Sequence, residues 1–175
     1  MSYQNLLGRF GLGLCLVLSL AACDTTESTD DGDGPGTTLG NGTVTITGDV
    51  NTSIDGGAAF YDGGEGFDLL IAAYDFTIPF DDSSDLGDEY LAISVPEALR
   101  TGTITIDREA EVYVEYQRPE GDLYARSGTI TITEASNERL VGTISAVVGR
   151  PTSDSTYSST AEMQASFEAL PLGID

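Results

Sequence analysis

Gly128 to Glu134 reads GTITITE, and near-copies stand at Gly42 (GTVTITG) and Gly102 (GTITIDR). In each, Thr alternates with Val or Ile behind a leading Gly. An alternation of period two places the branched apolar side chains on one face and the hydroxyls on the other, as in a strand with one buried and one wet surface. Such one-sided strands favour antiparallel pairing, because parallel strands are usually apolar on both faces. The three copies begin 60 and 26 residues apart. A solenoid or propeller needs a fixed repeat length, so the copies are three uses of one local solution and not a repeat.

The same alternation runs outward along the chain. In AEVYVEYQ, Ala110, Val112, Val114 and Tyr116 alternate with Glu111, Tyr113, Glu115 and Gln117. The pattern predicts strands near 43–48, 57–62, 67–75, 89–95, 102–107, 110–118, 122–133, 139–148 and 159–169. DGGEG (Asp62–Gly66), RPEGD (Arg118–Asp122) and EASNE (Glu134–Glu138) carry the Gly, Pro, Asp and Asn expected of turns between them. STAEMQASFEAL from Ser159 has good helix formers and a Ser-x-x-Glu cap signature. Its strict alternation of Ala161, Met163, Ala165, Phe167 and Ala169 with polar residues nevertheless favours a strand. One helical turn is expected at Pro96 to Arg100. Nine short antiparallel strands predict an all-β domain over 43–175, a sandwich or small barrel.

The start of the chain has another character. Arg9 is followed by FGLGLCLVLSL and then AAC. A basic start, a short apolar run and small residues before a cut site describe a secretory signal over 1–22. The run is shorter than the ~20 residues a membrane-spanning helix needs. Leu20 to Cys23, LAAC, resembles the lipobox of bacterial lipoproteins. The resemblance implies diacylation of Cys23, cleavage before it and acylation of the new N-terminus. Two or more chains hold a protein stably on a membrane where one does not. Cys15 would leave with the signal, so no thiol or disulfide chemistry is expected in the domain. Residues 23–42, rich in Asp, Thr and Gly, read as a disordered acidic tether. Acids just behind the acylated Cys also resemble surface-export signals of Bacteroidota lipoproteins. A cell-envelope location follows, on the outer membrane, periplasmic or surface-exposed.

Charge narrows the partners. The chain has 7 Lys plus Arg against 29 acids, a formal net charge of −22; loss of Arg9 with the signal makes it −23. All the basic residues are Arg. Such a surface repels nucleic acid and anionic headgroups. It resembles the acidic bias of salt-loving bacteria.

Thr101 to Ala146 (TGTITID…EVYVEYQ…DLYARSGTITITEASNERLVGTISA) is similar to small bacterial lipoproteins of unknown function, frequent in Bacteroidota. Gly102, Tyr116, Ser127 to Thr133 and Gly142 to Ser145 stand at the family's strand positions, and Ile144 stands where an aromatic is commoner. The resemblance implies a β fold and transfers no catalytic residue.

The residue inventory excludes much chemistry. There is no His, Lys or Trp, which removes His-based triads and the usual nitrogen ligands of zinc. No phosphate-binding glycine loop is present. Carboxylate pairs could in principle cleave glycosides, but the Trp platform common in such enzymes is missing. No enzyme is expected. Oxygen-only sites suit Ca²⁺. The candidate loop is FDDSSDLGDE, with Asp81, Asp82, Ser83, Asp85, Asp88 and Glu89. Its Asp-x-Ser-x-Asp opening resembles a calcium loop, but Gly87 falls one place late and position 92 is Ala, so a solvated acidic loop is the alternative. Tyr113, on the wet face between Glu111 and Glu115, is the candidate for contact with a sugar or peptide. The expectation is therefore a non-catalytic, lipid-anchored envelope module. A calcium-dependent carbohydrate- or protein-binding module and a subunit of an envelope assembly pairing through a strand edge are the alternatives.

Overall fold

The computed structural model describes residues 39–73, 88–107, 110–152 and 157–172. Nine strands follow one another: β1 (Gly40–Gly48), β2 (Thr52–Asp62), β3 (Phe67–Ala72), β4 (Tyr90–Val95), β5 (Gly102–Ile106), β6 (Tyr113–Gln117), β7 (Leu123–Ala135), β8 (Leu140–Gly149) and β9 (Ala161–Pro171). All nine predicted strands are present. β9 is a strand although its residues are good helix formers, because alternate burial of Ala161, Met163, Ala165, Phe167 and Ala169 lets one face enter the core. Among the described residues there is no helix: Pro96 to Arg100, expected to form a helical turn, is a bent link from β4 to β5. β1 begins at Gly40, inside the stretch read as tether.

Strands β7, β6, β4, β3, β2, β1, β9 and β8 close in that order back onto β7, forming an eight-stranded barrel. Sandwich or barrel was open in the sequence; ring closure decides for the barrel. The pairings are antiparallel except for a short parallel contact, Ala59↔Leu170 and Phe60↔Pro171, where β9 runs past the start of β1 and meets β2. The Leu172 amide then donates to the Phe60 carbonyl at 2.8 Å.

β5 is the ninth strand, and it explains the repeated pentapeptide. It pairs with β7 in the register Gly102↔Ile132, Thr103↔Thr131, Ile104↔Ile130, Thr105↔Thr129, Ile106↔Gly128. Two copies of GTITI thus lie antiparallel, Thr against Thr and Ile against Ile. β6 pairs with β7 through Glu115↔Tyr124 and Tyr116↔Leu123. β8 occupies the other edge of β7. Hence β5 and β6 lie end to end along one edge of β7, interrupted at 107–112. The register of β7 against β8 shifts between Ala125 and Ser127. Gly128 follows at once with φ of 149°, and a Cβ there would stand 2.2 Å from the Ser145 carbonyl oxygen. Only glycine fits that bend.

The barrel interior is filled. Phe60, Leu91, Ile93, Tyr116, Leu123, Ile130, Leu140, Ile144 and Met163 are fully buried, and no polar or charged residue is buried among those described. Eight strands enclose a space that side chains can fill, so this interior is a core and not a channel. The outward residues of β1, β8 and β9 include Thr43, Thr45, Thr143, Ser145, Glu162, Gln164 and Glu168, all exposed. A barrel that crosses a membrane with its strands has the opposite arrangement, apolar outside. Among the described residues no helix is long and apolar enough to cross a membrane.

Candidate functional site

The outer face of β2, β3, β4, β6 and β7 differs from the Thr- and acid-covered remainder. Register builds it in three rows. Tyr61, Asp68, Ser94 and Tyr113 stand side by side on β2, β3, β4 and β6. The next row is Ala59, Leu70, Ala92, Glu115 and Tyr124. The third is Gly57, Ala72, Tyr90 and Gln117. Small side chains thus floor the middle of the face and four tyrosines frame it. Leu39, Leu70, Tyr90 and Leu172 pack over Ala59 and Ala72, forming a small apolar cluster outside the barrel. Tyr61 is the exposed large side chain of the face, at 42%.

Glu115 is the polar centre. Its Oε2 accepts from the Tyr113 hydroxyl at 2.6 Å, and its Oε1 accepts from the Tyr124 hydroxyl at 2.7 Å. The two rings meet edge to face, centroids 5.9 Å apart. Tyr90 donates to Oε1 of Gln117 one row away. Burial is the first cause that pushes Tyr113 and Tyr124 well above the usual tyrosine value, and the hydrogen bond to Glu115 and its charge push further. Tyr90 is raised by burial, then by the charges of Glu115 and Asp122. These tyrosines are neutral donors and stacking surfaces at ordinary pH. They are not bases or nucleophiles. The arrangement can hold the planar or hydroxyl-rich surface of a ligand.

A second polar contact ties β2 and β6 to the residue before β4. The buried Tyr116 donates its hydroxyl to Oε2 of Glu89 at 2.9 Å, and Thr52 donates to the same oxygen at 3.3 Å. Burial and Glu89 push Tyr116 up to about 12, against a lowering by Thr52 and Arg118. Of the six residues proposed for calcium, Asp81, Asp82, Ser83 and Asp85 lie outside the described residues. Asp88 is exposed, and Glu89 is engaged with Tyr116 and Thr52. Among the described residues no three acidic side chains gather as a metal site. Cys23 also lies outside the described residues.

The described arginines have partners within the molecule. Arg118 pairs with Glu120 at 2.8 Å and Arg139 with Glu168 at 3.1 Å, as their acidic surroundings predict. Arg126 lies over the Tyr157 ring at 4.6 Å, a cation–π contact. Arg150 donates to the Glu120 carbonyl.

Reading the sequence singled out Tyr113 and placed Glu115 and Gln117 on its face, but missed Tyr90 and Tyr124 as its neighbours. The i, i+2 spacing of Tyr113, Glu115 and Gln117 places them on one face. Adding Tyr90 and Tyr124 requires the strand register, which the local pattern does not contain. No family model, no curated protein and no solved structure matches this chain.

Proposed function

We propose that this protein is a non-catalytic binding module, lipid-anchored through Cys23 to the cell envelope, that meets an uncharged polymer such as a polysaccharide on its outer tyrosine face. The observation that supports this reading is the Tyr113–Glu115–Tyr124 triad in a face of Tyr61, Tyr90, Ala92 and Gln117. The filled interior has no room for a ligand, so recognition falls to the outside. A net charge near −23 disfavours polyanions, and the paired arginines offer them no landing site. Tyrosine gives large, rigid contact area at small entropic cost.

Two measurements test the parts separately. Metabolic labelling with palmitate should mark the chain and lose the mark in Cys23→Ser; an unlabelled wild-type chain rejects the anchor. Calorimetric titration of the full chain with cellohexaose and maltohexaose should give heat with at least one of them. That heat should fall at least fivefold in affinity in Tyr61→Ala, whose ring is exposed. No heat with either sugar, or an unchanged affinity in Tyr61→Ala, rejects the tyrosine face as a saccharide site.

A further inference from the structure

We infer that β5 is a docking edge for β5 of a second copy of this chain, forming a two-fold dimer with one sheet continued across it. Among the described residues β5 pairs with β7 alone, so its other edge carries backbone donors and acceptors with no strand beside them. Unpaired edges are templates for a further strand, and proteins usually blunt them with Lys, Pro, bulges or inward charge. β5 has none of these. Gly102 to Ile106 holds no charge and no Pro, and its outward Thr103 and Thr105 are exposed. A Cβ on Gly102 would find no atom within 4 Å, so the entry to the strand is open.

The choice of a second copy rests on self-complementarity already seen within the molecule. β5 lies against the GTITI of β7 with Thr opposite Thr and Ile opposite Ile. A GTITI strand is therefore a proven antiparallel partner for GTITI. A two-fold axis at Ile104 would repeat that register, setting Gly102 opposite Ile106 of the second copy and Thr103 opposite Thr105. An isologous contact of this kind closes on itself and does not grow into a fibre. The shared edge itself, Gly102 to Ile106, sets no charge against charge. Against the contact stands the net negative charge of each barrel, so association should strengthen with salt as that repulsion is screened.

The test uses the full chain with Cys15→Ser and Cys23→Ser, in mild detergent. Sedimentation should show a monomer–dimer equilibrium that tightens at least tenfold from about 0.1 M to about 1 M NaCl, where the Debye length falls from ~10 Å to ~3 Å. Thr103→Glu with Thr105→Glu places like charges opposite each other and should abolish the dimer. Thr103→Arg with Thr105→Arg should do the same alone. An equal mixture of the two should restore a dimer, which a merely misfolded variant could not do. Added independently, Thr103→Cys with Thr105→Cys should give a disulfide-linked dimer under mild oxidation, while Thr43→Cys with Thr45→Cys on the enclosed strand β1 should not. A monomer at every salt and concentration overturns the inference. So does a dimer indifferent to the Glu pair, equal cross-linking at β1, or an edge that captures only strands of other proteins.

Discussion

Tyr124 donates its hydroxyl to Glu115 across one of the two residue pairs that join β6 to β7. The barrel closes through that narrow seam, because β5 takes the rest of the edge of β7. The face proposed to bind is thus also a fastening of the fold. Glu115 on β6 holds Tyr124 on β7 with one oxygen and Tyr113 of its own strand with the other. A cross-strand pair at a seam contributes more than the same pair inside a broad sheet, since few backbone bonds share the load.

Tyr124→Phe should lower unfolding stability by about 1 kcal/mol, less than the ~1.5–3 kcal/mol of a hydrogen bond to a charged acceptor, because the site is half exposed. Tyr113→Phe should cost a similar amount. The double variant should cost less than the sum if the freed carboxylate turns to water. Urea unfolding with an unchanged m-value checks this; an unaltered midpoint in both single variants would show that the seam holds without the carboxylate.

Alkali should unfold the barrel. Tyr90, Tyr113, Tyr116 and Tyr124 have folded-state values raised above the ordinary value of 10.0, Tyr116 to about 12. A raised value means that folding favours the neutral phenol. That stabilisation is fully present below pH 10 and is lost as pH rises above it toward the folded-state values. The tyrosinate absorbance of these four of the 8 tyrosines should therefore appear together with loss of the β signal in circular dichroism. Complete tyrosinate formation well before unfolding would contradict the buried, hydrogen-bonded hydroxyls.

Gly142→Ala should destabilise by about 1–3 kcal/mol, as for overpacking elsewhere. A Cβ there would stand 2.4 Å from the Thr131 carbonyl oxygen and 2.7 Å from Cζ of Phe167. The ring could move, but the carbonyl belongs to the β7–β8 ladder. The neighbouring Thr143→Ala, on the exposed face, should stay within about 0.5 kcal/mol of the parent. Thermal melts of the pair decide it, and equal melting temperatures would refute the close approach.

Salt should raise the melting temperature. Each described arginine already has a partner inside the chain, and acids outnumber arginines 29 to 7, so acid charge is in large excess. Their repulsion weakens as the Debye length shortens from ~10 Å at 0.1 M to ~3 Å at 1 M. A scan of melting temperature from about 0.05 M to about 2 M NaCl should rise and then level off. A flat response would mean that the acids are too far apart to strain the fold.

Period-two patterning was enough to locate all nine strands, and in β1, β5, β6 and β9 the face each buries; β2 begins at Thr52, five residues before the predicted start, and buries Ala58, Ala59 and Phe60 in succession. A period of two is local: each residue reports its own side. It was enough even at Ala161 to Ala169, where helix-forming composition pointed the other way and core burial prevailed. The turns at Asp62–Gly66, Arg118–Asp122 and Glu134–Glu138 were equally legible, since their Gly, Asp and Ser serve the chain within a few residues. Gly63 donates to the Gly66 carbonyl, Gly121 to that of Arg118 and Ser136 to that of Arg139.

Order and closure were not legible. That β9 would sit between β1 and β8, that β5 and β6 would share one edge of β7, and that the sheet would curl into a ring depend on contacts between residues far apart in the chain. The candidate face belongs to the same class. Tyr90, Tyr113, Glu115 and Tyr124 become neighbours only through the pairing of three strands. The alternating sequence determined which side chains turn inward; tertiary packing alone decided which strands stand next to one another, because backbone hydrogen bonds along a strand edge are alike for every partner and only volume, glycine gaps and side-chain fit across the barrel tell one neighbour from another.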